Sequence, residues 1–266
     1  MGGCCGSFER IGENYRSIEE VQAALRKNGL ESSNLIFGID YTKSNLYTGE
    51  KTFQGRNLHD LSSSKNPYME VIEIVGKTLE QFDDDKIIPA FGFGDVYTKN
   101  NSVFPFYPDR ECVGFQEVLA RYVQITPRIL MAGPTNFAPL INAAIEIVRK
   151  ERSYHILVIV TDGQVNNEEE TKAAIIKATS FPLSIITIGV GDGPWEGMHE
   201  FDDKLPARRF DNFHFVELTN RFERFPFECL IIVKFVEDTC VGAEYPNQIE
   251  TSKTNGMVVE KRRDEV

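Results

Sequence analysis

The stretch Leu35-Ile36-Phe37-Gly38-Ile39-Asp40-Tyr41-Thr42-Lys43-Ser44 runs a short apolar segment directly into an acidic, hydroxyl-rich loop. Residues 35–39 read as a buried strand, because a run this short with β-branched and aromatic members suits a strand covered on both faces. Apolar runs at 87–93, 154–160, 183–190 and 213–217 repeat that reading further along the chain. Between them lie amphipathic stretches at 68–82, 115–123, 137–148 and 168–179, with Val71, Ile74, Val75 and Leu79 forming one apolar stripe. An earlier helix is expected over 18–28, opened by the capping pair Ser17 and Glu20 and closed by Gly29. Strands alternating with helices predict an α/β fold: an open, doubly wound, mostly parallel sheet with helices on both faces. Such sheets carry their sites beyond the carboxyl ends of the strands.

Three loops fall at those ends. The first is Asp40-Tyr41-Thr42-Lys43-Ser44, where alternate spacing puts the carboxylate and both hydroxyls on one side. The strand at 154–160 runs into Thr161-Asp162-Gly163, a second carboxylate at an equivalent place. Between them Gly133-Pro134-Thr135-Asn136 precedes the helix at 137–148 and offers a third hydroxyl. Each has a plainer explanation: an Asp often closes a turn, and Thr135 or Asn136 could simply cap a helix. Together they make an all-oxygen set suited to a hard cation, Mg²⁺ first, with Mn²⁺ or Ca²⁺ as alternatives. Partly neutral ligands leave such an ion under-neutralised, so it would accept a carboxylate from a partner protein.

The pattern Asp-x-Thr-x-Ser, the later Pro-Thr and the Thr-Asp-Gly resemble the metal-ion-dependent adhesion site of von Willebrand factor A domains. The wording is closest to copines and to plant RING-bearing ubiquitin ligases that carry a copine-type domain. The matching stretches are 31–40, Phe91-Gly92-Phe93-Gly94-Asp95, Gly133-Pro134-Thr135, Gly191-Asp192-Gly193-Pro194-Trp195 and Arg209-Phe210-Asp211-Asn212-Phe213. By this resemblance Asp40, Thr42, Ser44, Thr135 and Asp162 form the metal site, with Thr42 where integrin-type domains use Ser. The implied function is divalent-cation-dependent binding of an acidic side chain on another protein. The alternative it implies is a part in protein ubiquitination, without a RING, since no spaced Cys and His cluster follows residue 219.

The domain expected from these matches covers 17–219, between an N-terminal segment of 1–16 and a divergent tail of 220–266. In that tail 229–236 reads as a strand and 251–266 as disordered. Met1-Gly2-Gly3-Cys4-Cys5-Gly6-Ser7 offers Gly2 for myristate and Cys4 and Cys5 for palmitate, though the hydroxyl arrives one residue late at Ser7. A plain flexible start explains the same residues, and the two readings stand side by side. Were the segment acylated, two lipid signals together would give membrane contact.

Composition narrows the function further. The net charge of −11 opposes binding to nucleic acid, which needs clustered Lys and Arg. Five cysteines without zinc spacing, and no secretory run, suggest a reduced, cytoplasmic protein, membrane-associated or nuclear as further options. Enzyme readings are weaker. A haloacid-dehalogenase-like phosphatase would need a second carboxylate where Thr42 stands. Gly92-Phe93-Gly94-Asp95 lacks the third Gly of a dinucleotide loop. His59, His155, His199 and His214 are dispersed, which favours packing or surface roles. Trp195, set among glycines and Pro194, reads as an exposed-looking anchor with a structural role.

Overall fold

The structure, a computed structural model, describes residues 17–27, 29–62, 65–163, 165–205 and 210–218. Gly2, Cys4, Cys5 and the tail beyond 219 lie outside the described residues.

In chain order the elements are α1 (Ile18–Lys27), β1 (Asn34–Asp40), α2 (Pro67–Leu79), β2 (Ile87–Ile88), β3 (Ala90–Phe93), β4 (Phe104–Pro105) and β5 (Cys112–Val113), followed by α3 (Gly114–Ile125), α4 (Ala138–Glu151), β6 (His155–Thr161), α5 (Glu168–Ala178), β7 (Leu183–Gly189), α6 (Glu196–Asp203) and β8 (Phe213–Glu217). The main sheet has the order β4-β3-β1-β6-β7-β8. Every pairing in it is parallel except β3 with the edge strand β4. This is the doubly wound, mostly parallel arrangement that the alternating pattern predicts, with one antiparallel edge.

Both faces of the sheet are covered, which is why its central strands carry no polar alternation. Leu35, Phe37 and Ile39 of β1, with Val158 and Val160 of β6, join the core beneath α1, α2 and α3. Ile36, Leu157 and Ile159 point the other way, into the core beneath α4, α5 and α6. The two-residue period of a strand thus divides one apolar run between two cores. On the second face Gly38 admits α4: a Cβ there would lie 2.1 Å from Leu140 Cδ2. The missing side chain lets the helix seat closely on β1.

The helix ends follow their local chemistry. Glu20 N–H donates to Ser17 Oγ at 3.3 Å, as the capping pair predicts. Asn66 Oδ1 accepts from Met69 N–H at 2.9 Å, and Pro67 opens α2 without needing a donor. One expected strand, 87–93, is divided. Pro89 has no N–H to give to a ladder, and on either side of it the chain pairs differently. Ile87 and Ile88 pair antiparallel with Val113 and Cys112, while β3 pairs parallel with β1. Helix α6 was not expected; Met198 and Phe201 bury it against the second core.

Candidate metal centre

β1 and β6 are neighbours in register, Ile39 opposite Val160, so Asp40 and Thr161–Asp162 emerge side by side. The loop after β1 is pinned next to them. Thr42 bridges to Ala132, and Lys43 N–H donates to Ala132 C=O at 2.7 Å. A 3₁₀ turn at Lys43–Leu46 then folds Ser44 back over β6.

The hydroxyls link the two carboxylates. Thr161 Oγ1 donates to Asp40 Oδ2 at 2.6 Å, and Thr42 N–H donates to Asp40 Oδ1 at 2.8 Å. Ser44 Oγ donates to Asp162 Oδ1 at 3.0 Å and lies 2.9 Å from Thr42 Oγ1. Because the Ser44 proton is committed to Asp162, Thr42 is the donor between the two hydroxyls. Thr48 Oγ1 completes the cluster by donating to Asp162 Oδ2 at 2.6 Å. Asp40, Thr42 and Asp162 are buried, whereas Ser44 is exposed and Thr48 half-buried, so the cluster opens to solvent along the loop.

This arrangement is electrostatically unfavourable as it stands. Burial raises the Asp40 carboxyl above its ordinary range, against the pull of its Thr161 and Thr42 hydrogen bonds. Burial first, and then the charge of Asp40, push Asp162 up to about 7. Among the described residues no Lys, Arg or His side chain ion-pairs with either group. Nor, among those residues, does any group of three or more His, Cys, Asp or Glu assemble for a metal. A cation held here would therefore rest on two carboxylates and neutral hydroxyls, and its charge would relieve the repulsion between them. The oxygen-only donor set fits a hard cation.

Four of the five expected ligands, Asp40, Thr42, Ser44 and Asp162, meet in one hydrogen-bonded cluster. Thr135 stands apart from that network. Its N–H donates to Asn166 Oδ1 at 2.8 Å and its carbonyl accepts from Asn166 N–H at 2.9 Å, which fix the loop while its hydroxyl joins none of the cluster's bonds. Asn136, its neighbour, takes the capping role instead: Oδ1 accepts from Ala138 N–H at 3.0 Å.

Beneath Asp40 lies a buried aromatic layer that the sequence did not announce. The His59 ring is stacked between Tyr41, at 4.7 Å, and Tyr68, at 4.0 Å between centroids. Burial drives its pKa down to about 3, so the ring is neutral. His59 Nε2 lies 2.8 Å from the Asp40 carbonyl oxygen, and Nδ1 lies 2.7 Å from Tyr122 Oη. A carbonyl can only accept, so Nε2 carries the proton and Nδ1 accepts from Tyr122. Asn45 adds Nδ2 bonds to the Asp40 and Thr42 carbonyls at 3.3 and 3.0 Å, and its Oδ1 accepts from Tyr68 Oη at 2.6 Å. The backbone that carries Asp40 and Thr42 is thus held by Asn45 and His59, which Tyr68 of α2 and Tyr122 of α3 hold in turn. Thr48, Thr161, Asn45 and His59 are the contributors that sequence reasoning missed.

The copine family model matches residues 57–261. The chain belongs to the copine family. Among curated relatives, it is 51% identical over 226 residues to "E3 ubiquitin-protein ligase RGLG1" of Arabidopsis thaliana, covering 80% of this chain and 46% of that protein. It is 54% identical over 209 residues to "Copine family protein 2" of Caenorhabditis elegans, covering 77% of this chain and 3% of that protein. The chain spans about half the length of the plant relatives RGLG1, RGLG5 and RGLG2. Among solved structures it is similar to manganese-loaded Plasmodium vivax TRAP protein, with TM-score 0.45 and 11% identity over 71% of this chain and 69% of that one. Proximal thread matrix protein 1 from the mussel byssus gives TM-score 0.48 and 14% identity over 79% of this chain and 47% of that one. Within this copine-family chain the family match includes Thr135 and Asp162, while Asp40, Thr42 and Ser44 precede it.

Proposed function

We propose that this copine-family chain is a divalent-cation-dependent protein-binding module, with Asp40, Thr42, Ser44, Thr135 and Asp162 as the residues that hold the ion. The observation that carries the reading is the run of hydroxyls joining two buried, like-charged carboxylates at the carboxyl ends of β1 and β6. Mg²⁺ suits the donor set best, and Mn²⁺ or Ca²⁺ could replace it. When bound, the ion supplies a positive centre that attracts an acidic side chain of a partner protein. The chain's own residues do the rest. Asp162 and Asp40 give the negative charge, and Thr42 and Ser44 add neutral oxygens. The His59 and Asn45 bonds to the Asp40 carbonyl keep the strand end rigid. No nucleic-acid role is part of this reading.

Thermal unfolding in Mg²⁺, Mn²⁺ or EDTA tests it, on the wild type and on Asp162→Ala. An ion at about a hundred times its Kd stabilises a fold by roughly 2.7 kcal/mol. The wild type should respond and Asp162→Ala should not. Equal melting in all three buffers would sink the proposal.

The identity to a protein named as a ubiquitin ligase favours a second reading, in which the chain takes part in ubiquitin transfer without catalysing it. Incubation with ubiquitin and its activating and conjugating enzymes tests this, since modification catalysed by the chain alone would make it an enzyme. A cytoplasmic location with membrane contact through acyl groups on Gly2, Cys4 and Cys5 belongs to the same proposal. Labelling with an alkynyl myristate, lost in Gly2→Ala, tests it. Among the described residues no helix is long and apolar enough to cross a membrane.

A further inference from the structure

The motif Gly191-Asp192-Gly193-Pro194-Trp195 leaves β7 and supplies none of the ligands proposed above, yet it grips the loop that carries them. Asp192 Oδ2 accepts from Lys51 N–H at 2.8 Å. Its Oδ1 accepts from Thr52 N–H at 2.9 Å and from Thr52 Oγ1 at 2.7 Å. The Asp192 N–H in turn donates to the Thr48 carbonyl at 2.6 Å. Gly191 makes this approach feasible: its φ is +92°, and a Cβ there would lie 2.6 Å from Thr48 O. Below the turn the Trp195 ring fills the space left by Gly189, where a Cβ would meet it at 2.8 Å, and packs 5.4 Å from the Phe215 ring. The exit of β7 is therefore a rigid support.

The far end of this grip is the candidate metal centre. Held at its carbonyl by the Asp192 main chain, and through the Lys51–Thr52 turn by the Asp192 carboxylate, Thr48 directs Oγ1 onto Asp162 Oδ2 at 2.6 Å, opposite the Ser44 hydroxyl on Oδ1. The Thr48 proton orients the carboxylate, and the oxygen keeps lone pairs for an ion or its water. Thr48 is half-buried at the solvent-facing side of the cluster, where a partly hydrated Mg²⁺ would carry its waters.

We infer that Thr48 is a further hydroxyl of the divalent-cation site and that Asp192 is the positioning residue that sets it there. The inference rests on the cation reading and adds two residues outside the Asp-x-Thr-x-Ser pattern. Groups that orient metal ligands typically change affinity 10- to 100-fold when removed.

Titration calorimetry with Mn²⁺ alone tests it on the wild type, Thr48→Val, Thr48→Ser, Asp192→Ala and the double variant Thr48→Val/Asp192→Ala. Thr48→Val and Asp192→Ala should each raise the Kd by about 10-fold or more, and Thr48→Ser should stay close to the wild type. The double variant should bind no worse than the weaker single one, because one change removes the hydroxyl and the other acts only through its placement. A clamp with only a structural role would lower the melting temperature of Asp192→Ala in EDTA and leave its Kd unchanged; that result overturns the inference, as does additive weakening in the double variant. Should Asp192→Ala fail to fold, the nearly isosteric Thr48→Val still decides. Wild type that binds no Mn²⁺ refutes the cation reading and this inference with it. Wild-type binding with unaltered variants refutes this inference alone.

Discussion

The two ends of β1 carry the same electrostatic problem and resolve it differently. At the carboxyl end burial and Asp40 push Asp162 up to about 7. Near the amino end, where Ser33 N–H donates to the Phe82 carbonyl at 2.8 Å, burial and then the charge of Asp85 push Asp83 up to about 6. The partners differ. Asp83 accepts from Lys86 N–H at 3.2 Å and Asp85 from Ile87 N–H at 2.7 Å, main-chain donors that shape a turn. Asp40 and Asp162 are served mainly by the side-chain hydroxyls of Thr161, Ser44 and Thr48. An amide N–H can only donate, whereas a hydroxyl oxygen can also face a cation. Crowded, buried carboxylates therefore do not by themselves mark a metal site. The kind of donor around them separates the two ends.

The largest expected effect follows from that distinction. Saturating Mg²⁺ should stabilise the wild type by roughly 2.7 kcal/mol at a hundred times Kd. Asp83→Asn should keep the whole of that response and Asp162→Ala should lose it, as read from melting curves with and without EDTA. A response that survives Asp162→Ala but fails in Asp83→Asn would place the ion at the wrong end of the strand.

The second effect probes how each end is held. Tyr68→Phe removes the donor to Asn45 Oδ1, a buried acceptor that has no water to turn to. Leaving such a group unpaired costs about 1–3 kcal/mol, so chemical denaturation should show a loss of about 2 kcal/mol. The Asp83 turn has its side-chain support from the exposed Ser32 hydroxyl on Asp84, where water can stand in. A loss below about 0.5 kcal/mol would mean that Asn45 finds another donor.

The third effect has the opposite sign. A carboxyl raised from 3.8 to about 6 is ionised at pH 7.5 at the expense of the fold. Its favourable contribution is complete below the unfolded pKa and is lost as pH rises through about 6. Asp83→Asn keeps an acceptor for Lys86 N–H and removes the charge. It should stabilise the protein at pH 7.5 by about 1–2 kcal/mol, less than the roughly 3 kcal/mol that the shift alone would give, because the exposed Asp84 and Asp85 are well screened. The gain should fade as the pH is lowered from about 6 towards 4. A gain independent of pH would exclude titration of Asp83 as its source.

The sequence was most informative where chemistry is local. Asp40, Thr42 and Ser44 share one loop, and the strands that bring Asp162 alongside carry unbroken apolar runs, so the fold class and four members of the hydrogen-bonded cluster could be read directly. Thr48 and Asp192 could not, because their link, the Asp192 N–H donating to the Thr48 carbonyl, joins the loop after β1 to the exit of β7, 144 positions along the chain. His59 looked like one of four scattered histidines; its place under Asp40 depends on Tyr41, Tyr68 and Tyr122, which the fold brings together from three separate segments. Trp195 looked exposed, yet it is buried, because Gly189 and Gly193 leave room for its ring. Its structural role was read correctly and its exposure was not. Helix α6, sequence EGMHEFDD, hides its two core residues among acids and a glycine. The division at Pro89 was visible in the residue itself, but the two-residue strands around it are too short to show any period.

The smallest effect makes the most direct comparison, because it sets two serine–aspartate hydrogen bonds against each other. Ser32 Oγ donates to Asp84 Oδ2 at 2.8 Å, much as Ser44 Oγ donates to Asp162 Oδ1 at 3.0 Å. Ser32 and Asp84 are both exposed, so water replaces the lost hydroxyl at little cost. Ser32→Ala should change stability by no more than about 0.5 kcal/mol, in Mg²⁺ and in EDTA alike. Ser44→Ala, the same substitution at the other end, should cost about 1 kcal/mol in EDTA, because the buried Asp162 carboxylate and Thr42 hydroxyl each lose a partner. In Mg²⁺ the two should part further, with Ser44→Ala losing much of the ion's stabilisation and Ser32→Ala keeping all of it. If both variants gain as much from Mg²⁺ as the wild type does, the Ser44 hydroxyl is only a hydrogen-bond donor to Asp162, and the distinction between the two ends of β1 fails at its most specific residue.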